Sequence, residues 1–219
     1  MSFQNWMVQP EVVLSTSPVV PVVVIKEIEQ AVPLATALFA GGIHVIEVAL
    51  RTPIALDAVK LLIKTFPEAL IGVGTVTTPE QLKQVADLGA KFALSPGKTQ
   101  ALLVAGLTSH IPLIPGISSV SELMEGLILG YTHFKFFPAA AVGGINMLRA
   151  MHGPFPQAKF CPTGGINEMN FSDYLALPNV LCVGGSWIVP EEAIKKGNWS
   201  LITDLSYAVR QSVRGWDSI

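Results

Sequence analysis

The chain has 219 residues, half of them hydrophobic and only 14% charged, with a formal net charge of -2 and a mean hydropathy of +0.51. No Ser- or Gly-rich linker and no charge run divides it, so residues 1–219 read as a single domain. The charge balance and the lack of a Lys/Arg cluster exclude an electrostatic footprint for nucleic acid or an anionic membrane, while the apolar surplus suits strands covered on both faces or an oligomer interface.

The start, Met1 to Trp6, lacks the basic flank and apolar core of a signal peptide, and prolines break the apolar run around Val19 to Ile25. A cytoplasmic protein is expected. The first predicted strand is Val19 to Val24, and Gly41-Gly42 ends the helix after it. The second is Val45 to Ala49. Its period-two alternation sets Val45, Glu47 and Ala49 on one face, so Glu47 points inward, and Arg51 continues that parity at the strand's C-terminal end. Thr52-Pro53 reads as an N-cap with proline at the first helical position, a device repeated at Thr78-Pro79 after the third strand, Leu70 to Thr75.

Gly89 precedes the fourth strand, Phe92 to Ser95, and Gly106 precedes the fifth, Leu113 to Ile117. Ser119-Val120-Ser121-Glu122 fits a capping box, and Gly130 leads into the sixth strand, His133 to Phe137. The seventh and eighth are Lys159 to Thr163 and Val180 to Gly184. Eight strand–helix units at this length predict a small (β/α)8 TIM barrel rather than an open doubly wound sheet. Cys161 and Cys182 fall in apolar strands and carry no expected chemistry, and His44, His110, His133 and His152 lack a metal-ligand spacing.

Lys135 is the most informative residue, because its amine sits in an otherwise apolar strand. Burial disfavours an ammonium, so such a lysine pairs with a carboxylate, snorkels to water, or works as a neutral nucleophile forming an imine. An inward Glu47 is its counter-ion or a general acid/base, roles with opposite demands on the amine. Arg51 reads as a clamp for a substrate carboxylate or as a surface arginine, and Thr75 as a donor to the same carboxylate or as a strand end. Pro96 and Phe137 read as an apolar wall or as core. In a barrel, phosphate is commonly held after strands 7 and 8, where Thr163-Gly164-Gly165 and Gly184-Gly185-Ser186 fall. The set fits a 2-oxo acid with a phosphate at its far end.

The strings Val45–Thr52, Gly72–Val76, Ser95–Gly97, Ile114–Gly116, Phe134–Ala139, Cys161–Gly165 and Gly184–Trp187 closely resemble the 2-keto-3-deoxy-6-phosphogluconate aldolase family, which includes the bifunctional 4-hydroxy-2-oxoglutarate aldolases. The match runs in order from about Pro18 to Pro190. The resemblance implies a class I aldolase of the Entner-Doudoroff pathway, usually a homotrimer, with no metal and no cofactor beyond the covalent imine on Lys135. It implies Glu47 as general acid/base, Arg51 and Thr75 as carboxylate ligands, Pro96, Phe137 and Thr163 as pocket residues, and Gly164, Gly165, Gly184, Gly185 and Ser186 as the phosphate segment. Its partners are then a small 2-oxo acid and a phosphorylated aldehyde. Ala139-Ala140-Ala141-Val142 departs from the family, which often carries a glutamate and an asparagine before the glycine pair, and this bears on aldehyde selectivity. An aldolase for the galactonate epimer, a phosphate-binding barrel epimerase or synthase, and a non-catalytic sugar-phosphate binder are the competing readings.

Overall fold

A computed structural model describes residues 5–213, so the first four residues of the N-terminal stretch read above for a signal peptide lie outside it. The strands are β1 (Val19–Val23), β2 (Val45–Ala49), β3 (Leu70–Gly74), β4 (Phe92–Leu94), β5 (Leu113–Ile114), β6 (Gly116–Ile117), β7 (His133–Phe136), β8 (Lys159–Pro162) and β9 (Val183–Gly185). Between and around them run α1 (Pro10–Ser15), α2 (Ala31–Ala40), α3 (Ala55–Thr65), α4 (Pro79–Asp87), α5 (Gln100–Thr108), α6 (Val120–Ile128), α7 (Gly144–His152), α8 (Phe171–Leu175), α9 (Glu191–Lys195) and α10 (Trp199–Ser212).

All the strand pairings are parallel, in a six-stranded sheet of order β5-β4-β3-β2-β1-β9 and a three-stranded sheet of order β6-β7-β8. The result is an α/β fold with a curled parallel sheet. Helices cover its outer face and β-branched and aromatic side chains fill both sides, which is why all five residues of β2 are buried and no alternation shows in its burial.

The fifth predicted strand is one run in sequence and two strands in space. Pro115 has no N–H to give, so the ladder is interrupted there, and β5 pairs with β4 while β6 pairs with β7. Ser95 spans the break: its amide donates to the Ile114 carbonyl, and its Oγ accepts from the Gly116 amide at 3.1 Å. Parallel bridges Phe160–Val180 and Thr163–Gly184 join β8 to the residues of the eighth predicted strand, whose ladder residues begin at Val183 rather than Val180.

Two local expectations are corrected. Thr52 is not an N-cap: its hydroxyl donates to the Ile25 carbonyl, a turn follows, and α3 starts at Ala55. Gly106 is no helix stop but lies inside α5, where a Cβ would come within 2.1 Å of the Tyr131 hydroxyl. Thr78 does cap α4, accepting from Gln81, and the Ser119–Glu122 capping box is complete on α6. Thr99 caps α5 in the same way.

Candidate active site

The C-terminal ends of the strands carry the chemistry-bearing residues. Lys135 lies on β7 between Gly116 of β6 and Cys161 of β8 in register, and Glu47 lies on β2 beside Val22 of β1 and Gly72 of β3. Their side chains cross the interior to meet. Lys135 Nζ donates to Glu47 Oε1 at 2.8 Å, with the two side chains only 5% and 1% exposed. Glu47 Oε2 is buried and has no hydrogen-bond partner among the described residues. The snorkelling alternative for Lys135 is thereby removed.

Glycines decide how Glu47 reaches its partner. A Cβ at Gly74 would lie 1.9 Å from Glu47 Oε1, so the carboxylate runs across the β3 backbone through space that only glycine leaves open. This positioning role is absent from the sequence reading, although a glycine inside a strand is the signal for a close approach. Gly116 plays a similar part, since a Cβ there would press within 2.4 Å of the Pro96 backbone, setting Pro96 beside the strand that flanks Lys135.

Arg51 is exposed, and its Nε donates to Thr75 Oγ1 at 3.4 Å. Thr75 holds φ at +62°, a left-handed conformation that a β-branched residue adopts only when its surroundings enforce it. The Phe137 ring centroid is 5.7 Å from Lys135 Nζ, within range of a cation–π contact. Thr163 is buried beside Cys161, and its amide donates to the Phe136 carbonyl.

Gly164 and Gly165 take φ of +98° and +76°, and a Cβ on Gly165 would strike Ala140 at 2.5 Å, so the loop after β8 packs on the segment that follows Phe137. Gly184 and Gly185 answer a packing demand as well: a Cβ on the first would sit 2.2 Å from Thr163 Oγ1 and on the second 1.8 Å from the Trp187 ring. Ser186 is exposed and, with Arg51, lines one cleft of about 310 Å³.

Both cysteines are free and buried. Burial, with the Cys161 thiol and then Glu47 adding to it, pushes the Cys182 thiol well above its usual range, so it stays a neutral filler of the interior. Among the described residues no group of three His, Cys, Asp or Glu is placed to hold a metal, and no helix is long and apolar enough to cross a membrane.

Fold and pair together define a class of α/β protein, one that presents a desolvated primary amine in hydrogen-bond contact with a carboxylate, the equipment of imine-forming enzymes. The KDPG and KHG aldolase family model matches residues 11–205. A 2-dehydro-3-deoxy-phosphogluconate aldolase of Pseudoalteromonas atlantica is 55% identical over 97% of this chain and 97% of its own length. A KHG/KDPG aldolase of Escherichia coli is 54% identical over 97% and 98%. The crystal structure of KDPG aldolase from Legionella pneumophila, with pyruvate captured as a covalent carbinolamine, is 68% identical and covers 94% of this chain and 100% of its own at a TM-score of 0.93. The chain belongs to the KDPG and KHG aldolase family.

Proposed function

We propose that the chain is a class I aldolase that reversibly cleaves 2-dehydro-3-deoxy-6-phosphogluconate to pyruvate and glyceraldehyde 3-phosphate, and 4-hydroxy-2-oxoglutarate to pyruvate and glyoxylate. Family membership and the buried Lys135–Glu47 contact support it. A proton moved along that 2.8 Å bond turns an ion pair into a free amine and a carboxylic acid, and the free amine is the form that attacks a carbonyl.

In this reading Lys135 Nζ attacks the C2 carbonyl, and Glu47, directly or through a water, delivers the protons that convert the carbinolamine to the iminium. Glu47 as carboxylate then takes the proton of the C4 hydroxyl. The C3–C4 bond breaks, its electron pair passes to the iminium, and the aldehyde leaves. The remaining enamine is protonated at C3 and hydrolysed to pyruvate. The imine is the electron sink, so the chemistry calls for no metal or other cofactor. Arg51 and Thr75 hold the C1 carboxylate, Pro96, Phe137 and Thr163 wall the pocket, and Gly164, Gly165, Gly184, Gly185 and Ser186 receive the phosphate.

Borohydride reduction in the presence of pyruvate is expected to add the trapped mass to the peptide bearing Lys135. An unmodified Lys135 in a chain that still releases aldehyde sinks the assignment. Side-by-side kcat/KM values on the gluconate and galactonate epimers are expected to favour the former.

The two sheets are read as one (β/α)8 barrel and one domain over residues 1–219. The shared run at Pro115 and the bridges between β8 and the eighth run support closure. A cytoplasmic homotrimer is the proposed assembly. Val120, Met124 and Ile128 form an exposed apolar stripe at fourfold spacing on α6, surface that a partner copy would cover. Light scattering is expected to give three times the 23.4 kDa chain mass.

A further inference from the structure

The cleft shared by Arg51 and Ser186 extends beyond the residues assigned to the reaction. It is lined by Val22 of β1 and Val24 just after that strand, and by the charged side chains of Lys26, Glu191 and Lys195. Val22 pairs in register with Glu47, so its side chain lies on the face from which Glu47 projects, and the cleft brings Arg51 and Ser186 together with Lys26, Glu191 and Lys195. An apolar lining combined with cations suits a ligand that carries both a carbon chain and a negative charge.

The charged side chains form a cluster centred on Glu191, in which Lys195 Nζ also donates to Glu192 Oε1 at 3.2 Å. Lys26 Nζ and Lys195 Nζ approach Glu191 Oε1 at 2.7 and 2.9 Å, so two ammoniums converge on a single carboxylate oxygen. Hydrogen bonds from Lys26 and then Lys195 hold the Glu191 carboxyl down to about 2. All three side chains are about half exposed, where such pairs add little to stability and exchange partners at little cost. The lining cations Lys26, Arg51 and Lys195 outnumber the lining carboxylates Glu27 and Glu191 by one, three against two.

We propose that Lys26 and Lys195 form the outer half of the phosphate subsite and that Glu191 is an internal anion holding the two ammoniums in place until the substrate's phosphate displaces it. The phosphate is then gripped from the inside by the Ser186 segment and from the outside by two lysines. Binding of phosphorylated substrates is thereby separated from the imine chemistry. This rests on the aldolase reading above.

The test compares D-glyceraldehyde 3-phosphate with D-glyceraldehyde as acceptors for pyruvate, a pair differing only in the phosphate. The Lys26→Gln/Lys195→Gln double variant is expected to raise KM for the phosphorylated aldehyde about fivefold to tenfold, the worth of a charge-assisted hydrogen bond or two in a half-exposed site. Its kcat, its KM for glyceraldehyde and its rate of pyruvate–borohydride trapping are expected to stay at wild-type values, which also shows that the variant folds. Glu191→Gln is expected to lower KM for glyceraldehyde 3-phosphate, and inhibition by inorganic phosphate to weaken in the double variant. An unchanged KM for the phosphorylated aldehyde, or an equal loss with both aldehydes, overturns the subsite; an unchanged KM in Glu191→Gln overturns the displacement. A wild-type chain that traps no pyruvate overturns the aldolase reading instead, and calorimetric binding of inorganic phosphate to wild type and double variant still decides the subsite.

Discussion

Glu47 has no freedom to choose its position, because Gly74 is the only residue type that lets its carboxylate cross β3 to Lys135. Gly74→Ala is therefore expected to displace the carboxylate and lower kcat about a hundredfold, the scale at which misplacement by an ångström acts. Glu47→Gln keeps the shape and removes the carboxylate that the proposed mechanism uses as base, so kcat is expected to fall about 10²- to 10⁴-fold with an unchanged circular dichroism spectrum. Single-turnover cleavage rates check both, and a Gly74→Ala enzyme at wild-type speed would falsify the positioning argument. The inward burial of Lys135 and Glu47 was legible in the sequence because a charge in an apolar strand is costly and strand parity says where it points. The gap at Gly74, the close contact of Gly184 with Thr163 and the left-handed backbone of Thr75 were not, although Gly184 and Thr75 themselves were read as site residues. Their contribution is an absent Cβ or a backbone angle imposed by neighbours, and neither leaves a chemical group to read.

The elements were legible where a side chain meets its own backbone locally. On α6, Ser119 Oγ accepts from the Glu122 amide, and Glu122 Oε2 accepts from the amides of Ser118 and Ser119. Ser119→Ala is expected to cost about 1 kcal/mol of stability, read as a lowered urea midpoint. Burial raises the Glu122 carboxyl, but the hydrogen bonds from Ser118 and Ser119 outweigh it and leave the group below its ordinary value of 4.5. A carboxyl depressed in the folded state stabilises above its unfolded value, and that contribution is lost as pH falls through the folded one. Stability is thus expected to decline on acidification below about pH 4.5, and Glu122→Gln to flatten that decline in thermal melts. An unchanged slope in the variant means other carboxylates carry it. Thr52 misled because the Ile25 carbonyl takes its hydroxyl, and Gly106 because its missing Cβ answers the close approach of the Tyr131 hydroxyl rather than a helix end.

At the scale of the whole molecule the question is whether two sheets behave as one body. The break at Pro115 is crossed by Ser95, which serves β5 through its amide and β6 through its hydroxyl, and by Tyr131, two residues before β7, whose hydroxyl donates to the Leu103 carbonyl on α5 at 2.7 Å. The other seam is crossed by backbone bonds, from the Phe160 amide to the Asn179 carbonyl and from the Leu181 amide to the Phe160 carbonyl. One cluster of buried apolar side chains runs through both sheets, with Phe92 and Phe160 alike in it. Neither sheet can shed its neighbour without exposing core, so unfolding is expected to be a single transition, with far-UV circular dichroism and tryptophan fluorescence coinciding. Ser95→Ala leaves the buried Gly116 amide without its acceptor and is expected to lower stability by about 1–3 kcal/mol while keeping the transition single. Two separated transitions, in the wild type or in this variant, would mean that the sheets are independent units and that Lys135 and Glu47, one from each, are brought together only by docking.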